Sequence, residues 1–246
     1  MQIYYLAGIN TDKQNISPFA AQDNYESAKF VPTNGGVNNI CDHVILSTGE
    51  RYVLRIYNNG FNTLRVEFEH LVLKALSTNE KLFFSLPTPF PSKIDGKTHG
   101  LLSTGAEACL FKFIPGELPK KTRMLAIGRA CGLLVTALEG IDVGLISPNP
   151  RYNEIFKAHH ATTKENFYAE VAKDQFDTTP EVRKYINLLA DIVRHLEERV
   201  EYFNTLGLPE QLIHADLHYD NILCEGDSVS GVLDFEFSVY DWRGKK

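Results

Sequence analysis

The sequence predicts an α+β protein of two lobes, β-rich first and mainly helical after. Three observations predict it. Up to residue 111 the apolar segments are short, β-branched or aromatic, and bounded by turn residues, as strands are. A proline-glycine stop at Pro115-Gly116 then interrupts the chain. Beyond it the apolar residues recur with the 3.6 period of helices. The expected boundaries are a first lobe over 1–111, a hinge over 112–117 and a helical lobe over 118–246. A cleft between two such lobes is a favoured place for a ligand.

Asn38–Ser47 carries Ile40, Val44, Ile45 and Leu46, and Arg51–Tyr57 is rich in β-branched and aromatic residues. With the turn cluster Ser47-Thr48-Gly49-Glu50 between them, the two read as a hairpin. Asn58-Asn59-Gly60 breaks the pattern. Leu64, Phe68, Leu71, Val72, Ala75 and Leu76 then follow at helical spacing, which predicts an amphipathic helix over Thr63–Leu76. The prolines from Pro87 to Pro91 predict an extended stretch, and Asp95-Gly96-Lys97 a turn. Ala108–Ile114 is an apolar strand. Met124–Leu138 and Glu181–Leu206 are the clearest helices. Leu212–Asp216 and Val229–Phe237 read as short strands, with Glu225-Gly226-Asp227 as the turn of a hairpin.

Composition excludes several classes. A chain of 246 residues with 43% hydrophobic and 23% charged residues is an ordinary globular chain. A net charge of -6 argues against a nucleic-acid binder held by phosphate contacts. No run approaches the ~20 apolar residues of a membrane span. The four cysteines form no Cys-x-x-Cys pair, which suits reduced thiols in a cytoplasmic protein.

Chemistry concentrates in His214-Ala-Asp216-Leu-His218-Tyr-Asp220-Asn221 and in Val232-Leu233-Asp234-Phe235-Glu236. The predicted hairpin returns the chain on itself, which brings Asp234 close to Asn221. Asp216 precedes Asn221 by five positions, the spacing of a phosphoryl-transfer loop in which the aspartate is the base and the asparagine a metal ligand. Magnesium takes hard oxygen ligands, and Asn221 and Asp234 supply one neutral and one charged oxygen. Asp216 can align an attacking hydroxyl and accept its proton. A competing metal-hydrolase site on His214, Asp216 and His218 would need further ligands, and His159-His160 is the other histidine pair.

The segment from Leu212 to Leu223, followed by Gly231–Glu236, resembles the aminoglycoside phosphotransferase and choline kinase superfamily, whose fold is protein-kinase-like. The likeness covers most of the chain. Gly35–Asn39 resembles the family's nucleotide-phosphate loop, Tyr52–Tyr57 its third strand, Glu67–Leu76 its first-lobe helix and Phe111–Gly116 its hinge. The Leu-Arg-Ile-Tyr strand and the Asp-Phe-Glu ending look most similar to homoserine-kinase-like members.

The resemblance implies ATP and Mg2+ as cofactors and a small-molecule hydroxyl as acceptor: a homoserine-like amino alcohol, with choline, ethanolamine or an aminoglycoside as alternatives. A pseudokinase that binds nucleotide without turnover is the second class. Under the resemblance Asp216 is the catalytic base and His214 braces its loop; Asn221 and Asp234 are the metal ligands. Gly35, Gly36 and Asn38 lie on the phosphate loop, although the glycines fit an ordinary turn equally well. Arg55 stands where most members carry lysine, and a guanidinium still binds phosphate. Its partner on the helix is Glu69, with Glu67 an alternative. Lys112 and Ile114 would offer backbone groups to adenine. Glu236 reads as a salt-bridge partner or a supplementary metal ligand. The sequence ends at Lys246, 12 residues past Asp234, where family members usually continue with helices that complete the substrate pocket, so apolar faces are expected to lie exposed.

Overall fold

The structure, a computed structural model, describes residues 28–33, 39–58, 62–102, 104–157, 162–173 and 179–243. Gly35, Gly36, Asn38, His159 and His160 lie outside the described residues. The chain divides into two compact units: Met1–Pro148 with His214–Ser238, and Asn149–Ile213 with Val239–Lys246.

The first unit is built on a five-stranded antiparallel sheet in the order β1-β2-β3-β5-β4. The strands are β1 (Lys29–Pro32), β2 (Ile40–Ile45), β3 (Arg51–Ile56), β4 (Gly100–Leu101) and β5 (Glu107–Lys112). Side chains alternate across a strand. Leu54 and Ile56 therefore point to one face, where they pack with Val44, Ala108 and Leu110. Arg55, between them, points to the other, yet it is buried as well. Helix α1 (Thr63–Leu76) supplies its cover, and the Asn62 side chain caps that helix by accepting from Arg65 N.

The α1 bounds match the sequence periodicity, and Phe68, Val72 and Leu76 of the expected stripe are buried, but the buried face differs from it in part. Leu64 and Leu71 are exposed, while Glu69 and His70 are buried. The physical reason is charge: a buried arginine on the facing strand needs a partner, and a paired carboxylate displaces leucine from the covered stripe.

After β5 the chain runs extended through 113–117 and is stitched to the hairpin β7 (Ile222–Glu225) and β8 (Ser228–Val232). Glu117 and Cys224 exchange backbone hydrogen bonds of 3.0 and 2.9 Å, and Ser230 Oγ donates to Pro115 O at 2.7 Å. Two glycines permit this approach. A Cβ on Gly231 would meet Ile114 Cγ2 at 2.7 Å. One on Gly116, whose φ is +141°, would sit 2.9 Å from Leu223 Cβ. Helix α2 (Met124–Leu138) completes this unit.

The second unit pairs β6 (Glu210–Ile213) with β9 (Val239–Trp242) and carries α3 (Lys164–Val171) and α4 (Pro180–Asn204). Thr179 caps α4, and Pro180 opens it. Asp241 is fully buried and accepts from Tyr152 N at 2.5 Å and Trp242 N at 2.6 Å. Val182, Leu188, Leu189, Ile192 and Leu196 of α4 are exposed.

Two predicted strands end early. Leu212–Asp216 pairs only to Ile213, and Val229–Phe237 only to Val232. Ala215 has φ +63° and Asp234 φ +64°, a left-handed backbone that cannot continue a ladder.

Candidate active site

Both left-handed residues belong to the functional loops. Such strain costs on the order of 1–3 kcal/mol per residue and persists only where surrounding contacts impose it. Here the contacts run between the two loops. His214 Nε2 donates to Leu233 O at 2.9 Å, and Leu233 N donates to Asn221 O at 2.8 Å. Asp216 N donates to His214 Nδ1 at 3.3 Å. His214 is buried against the Phe235 ring at 4.4 Å between centroids. Burial lowers its pKa, so the ring is neutral and serves as a brace with the proton on Nε2.

Asn221 closes the short turn Tyr219–Asn221, which His218 caps by accepting from Asp220 N at 3.2 Å. Asn221 Nδ2 donates to Asp216 O at 2.9 Å and to Asp216 Oδ2 at 3.0 Å. The amide orientation is thereby set, with Nδ2 engaged on Asp216 and Oδ1 the end that could hold a ligand. His218 Nε2 lies 3.5 Å from Asp216 Oδ2. The Asp216 and Asp234 side chains keep 33% and 30% exposure, enough to meet a ligand.

Arg55 brings the sheet, the helix and the acidic segment together. Its Nη1 donates to Glu69 Oε1 at 3.2 Å. Its Nη2 donates to Asp234 Oδ1 at 2.7 Å and lies 3.0 Å from Glu236 Oε2. Glu69, not Glu67, is therefore the helix partner, and Glu67 is half-buried. Burial opposes the charge on Arg55, but Glu69, Tyr57, Asp234 and Glu236 outweigh it and hold the guanidinium ionised. Burial likewise pushes the Glu69 carboxyl upward, and Arg55 pulls it back.

A polar chain lies behind this pair that the sequence did not suggest. Tyr57 donates to Glu69 Oε2 at 3.0 Å and lies 3.4 Å from His70 Nε2, while His70 Nδ1 lies 2.6 Å from Thr98 Oγ1. Burial, with His99 and Arg55 nearby, lowers the His70 pKa to about 3. The unfolded chain therefore binds a proton that the folded chain excludes at pH values between about 3 and 6.5, so the His70 contribution to stability falls as pH drops through that window. At pH 5 the loss from this group is about 2 kcal/mol. Urea unfolding of the wild type and His70→Gln between pH 7 and 5 checks it, and the variant is expected to lose less stability over that range.

The hinge residues are partly committed. Lys112 N already donates to Thr88 O at 3.0 Å, which removes one group expected to face adenine, and Ile114 is buried over Gly231. Phe113, between them, lies under the Arg51 guanidinium at 3.7 Å.

As a donor set, Asn221 Oδ1 and the second oxygen of Asp234 are hard oxygens on two segments that the Leu233–Asn221 backbone bond joins, a donor chemistry that fits Mg2+. Asp216 lies next to Asn221, and the buried Arg55 next to Asp234.

The model of a family described as the phosphotransferase enzyme family matches residues 34–244. A homoserine kinase from Zymomonas mobilis subsp. mobilis is 28% identical over 212 residues, covering 85% of this chain and 59% of that protein. One from Agrobacterium fabrum is 30% identical over 203 residues, covering 81% and 54%. The chain thus spans less than two thirds of the length of these curated relatives. Among solved structures, an amicoumacin kinase in complex with AMP-PNP, Ca2+ and Ami shares the fold at a TM-score of 0.65 and 16% identity, over 94% of this chain and 64% of that one. A microcompartment-associated aminopropanol kinase does so at 0.59 and 19%, over 94% and 70%.

Proposed function

Because the chain belongs to the phosphotransferase enzyme family, we propose that it moves the γ-phosphoryl group of ATP to the hydroxyl of a small amino alcohol, with homoserine the favoured acceptor. The observation that supports the reading is the Asp216–Asn221–Leu233 linkage, which ties together the two segments that carry Asp216, Asn221 and Asp234. Asp216 takes the hydroxyl proton as the acceptor oxygen bonds to the γ-phosphorus and the bond to the β-phosphate oxygen breaks. Asn221 and Asp234 hold magnesium, which when bound offsets charge on the phosphate oxygens. Arg55, steadied by Glu69, would bind the phosphates, a role that the resemblance also gives Gly35, Gly36 and Asn38, and the 112–117 segment would be the hinge that meets adenine.

The choice of homoserine follows the names of the relatives and the Asp-Phe-Glu ending. Choline, ethanolamine and aminoglycosides are the alternatives. A nucleotide-binding module without turnover has no observation in its favour, since Asp216, Asn221 and Asp234 are all present and linked. ATP consumption with magnesium over a panel of amino alcohols tests the reading. Homoserine is expected to give the highest kcat/KM. Binding of Mg–ATP with turnover on no acceptor would overturn it.

A further inference from the structure

Arg55 divides its guanidinium between two sides: Glu69 takes Nη1, while Asp234 and Glu236 share Nη2. Glu236 thus meets the guanidinium at the same end that Asp234 does. Glu236 is itself buried and anchored. Both of its oxygens accept from a single group, Asn39 Nδ2, at 3.2 and 3.1 Å. The other end of that amide, Asn39 Oδ1, accepts from Asn58 N at 3.0 Å.

Asn39 immediately precedes β2, and Asn58 follows β3 by two residues; the two strands pair at Ile40 and Ile56. The anchor thus springs from the end of the same two-stranded ladder that carries Arg55. Closing this ring needs a side chain with a donor at one end and an acceptor at the other, and asparagine has both. We propose that Asn39 and Glu236 act as a latch of positioning residues that holds the Arg55 guanidinium turned toward Asp234, so that nucleotide affinity depends on it. The inference rests on the kinase reading, and it assigns Glu236 to positioning Arg55.

The test uses the full chain and the dissociation constant of Mg–ADP measured by calorimetry. Asn39→Ala loses both arms of the latch. Glu236→Gln keeps the volume and one oxygen for Asn39 but loses the charge facing Arg55. Each variant is expected to bind Mg–ADP on the order of tenfold more weakly. The KM for ATP is expected to rise in step, with kcat at saturating ATP changing by less than about threefold. If the two residues form one latch, the double variant is no weaker than the worse single variant. Thermal unfolding without nucleotide verifies that each variant folds, and Glu236→Gln carries the test if Asn39→Ala does not. Mg–ADP affinity within about twofold of wild type in the folded variants, or losses that add in the double variant, would overturn the latch. A wild-type chain that binds Mg–ADP but phosphorylates no acceptor sinks the kinase reading instead, and the ADP affinities still decide the latch.

Discussion

Asp216→Asn is expected to reduce kcat for the preferred amino alcohol by about 10²–10⁴-fold while leaving Mg–ADP affinity within about threefold of wild type. The substitution keeps the shape of the side chain and an oxygen that can still accept from Asn221 Nδ2, now 3.0 Å from Asp216 Oδ2. It removes the ability to take a proton. The backbone contact from Asn221 Nδ2 to Asp216 O, at 2.9 Å, does not involve the side chain and survives. Loop geometry, and with it the Asn221 oxygen, should therefore persist. The effect separates the two roles that a carboxylate can play here. A base loses kcat with binding intact. A residue that only shapes the loop would lower nucleotide affinity and melting temperature together. Equal kcat in the variant and the wild type would remove Asp216 from the chemistry altogether.

Legibility in the sequence followed the strength of local signals. Helices α1 and α2 coincide with their predicted spans, because their apolar spacing is strong and their ends are marked by polar residues. The β7–β8 hairpin was legible from its Glu225-Gly226-Asp227 turn, and it does carry Asp234 next to Asn221 through Leu233. Strands β1, β4 and β9 were not foreseen; each has four residues or fewer, too short for a period to register. The ends at Ile213 and Val232 were missed because the next loops hold Ala215 and Asp234 in a backbone conformation that their residue types do not advertise.

The site divided in the same way. Asp216, Asn221 and Asp234 stood in readable motifs. The choice of Glu69 over Glu67 needed the facing strand, since the step of two positions between them turns the side chain to the other side of the helix and decides which carboxylate points inward. The contact between Asn39 and Glu236 joins residues 197 positions apart and leaves no local pattern at all.

Replacing Arg55 with methionine is expected to cost the fold about 3–5 kcal/mol, the effect of breaking a buried ion pair by removing one partner. Methionine fills similar space, so cavity formation is minor and the charge term dominates. Glu69 is fully buried and Glu236 nearly so, and both would lose the cation that offsets their desolvation. The sign of the pH dependence follows. Burial already raises both carboxyls, and Arg55 pulls them back. Without Arg55 they rise further, so the folded chain holds protons that the unfolded chain releases above about pH 4.5. Stability of the variant must then fall as pH rises from 5 to 8, and its deficit against wild type must widen over that range. Thermal unfolding at pH 8 should show a drop on the order of 10 °C for a chain of this size. Arg55→Lys is expected to lie between the two. An ammonium keeps the charge but lacks the planar fork that reaches Glu69 on one side and Asp234 with Glu236 on the other. A methionine variant as stable as wild type at pH 8 would mean that the three carboxylates do not depend on Arg55, and the electrostatic account of this cluster would fail with it.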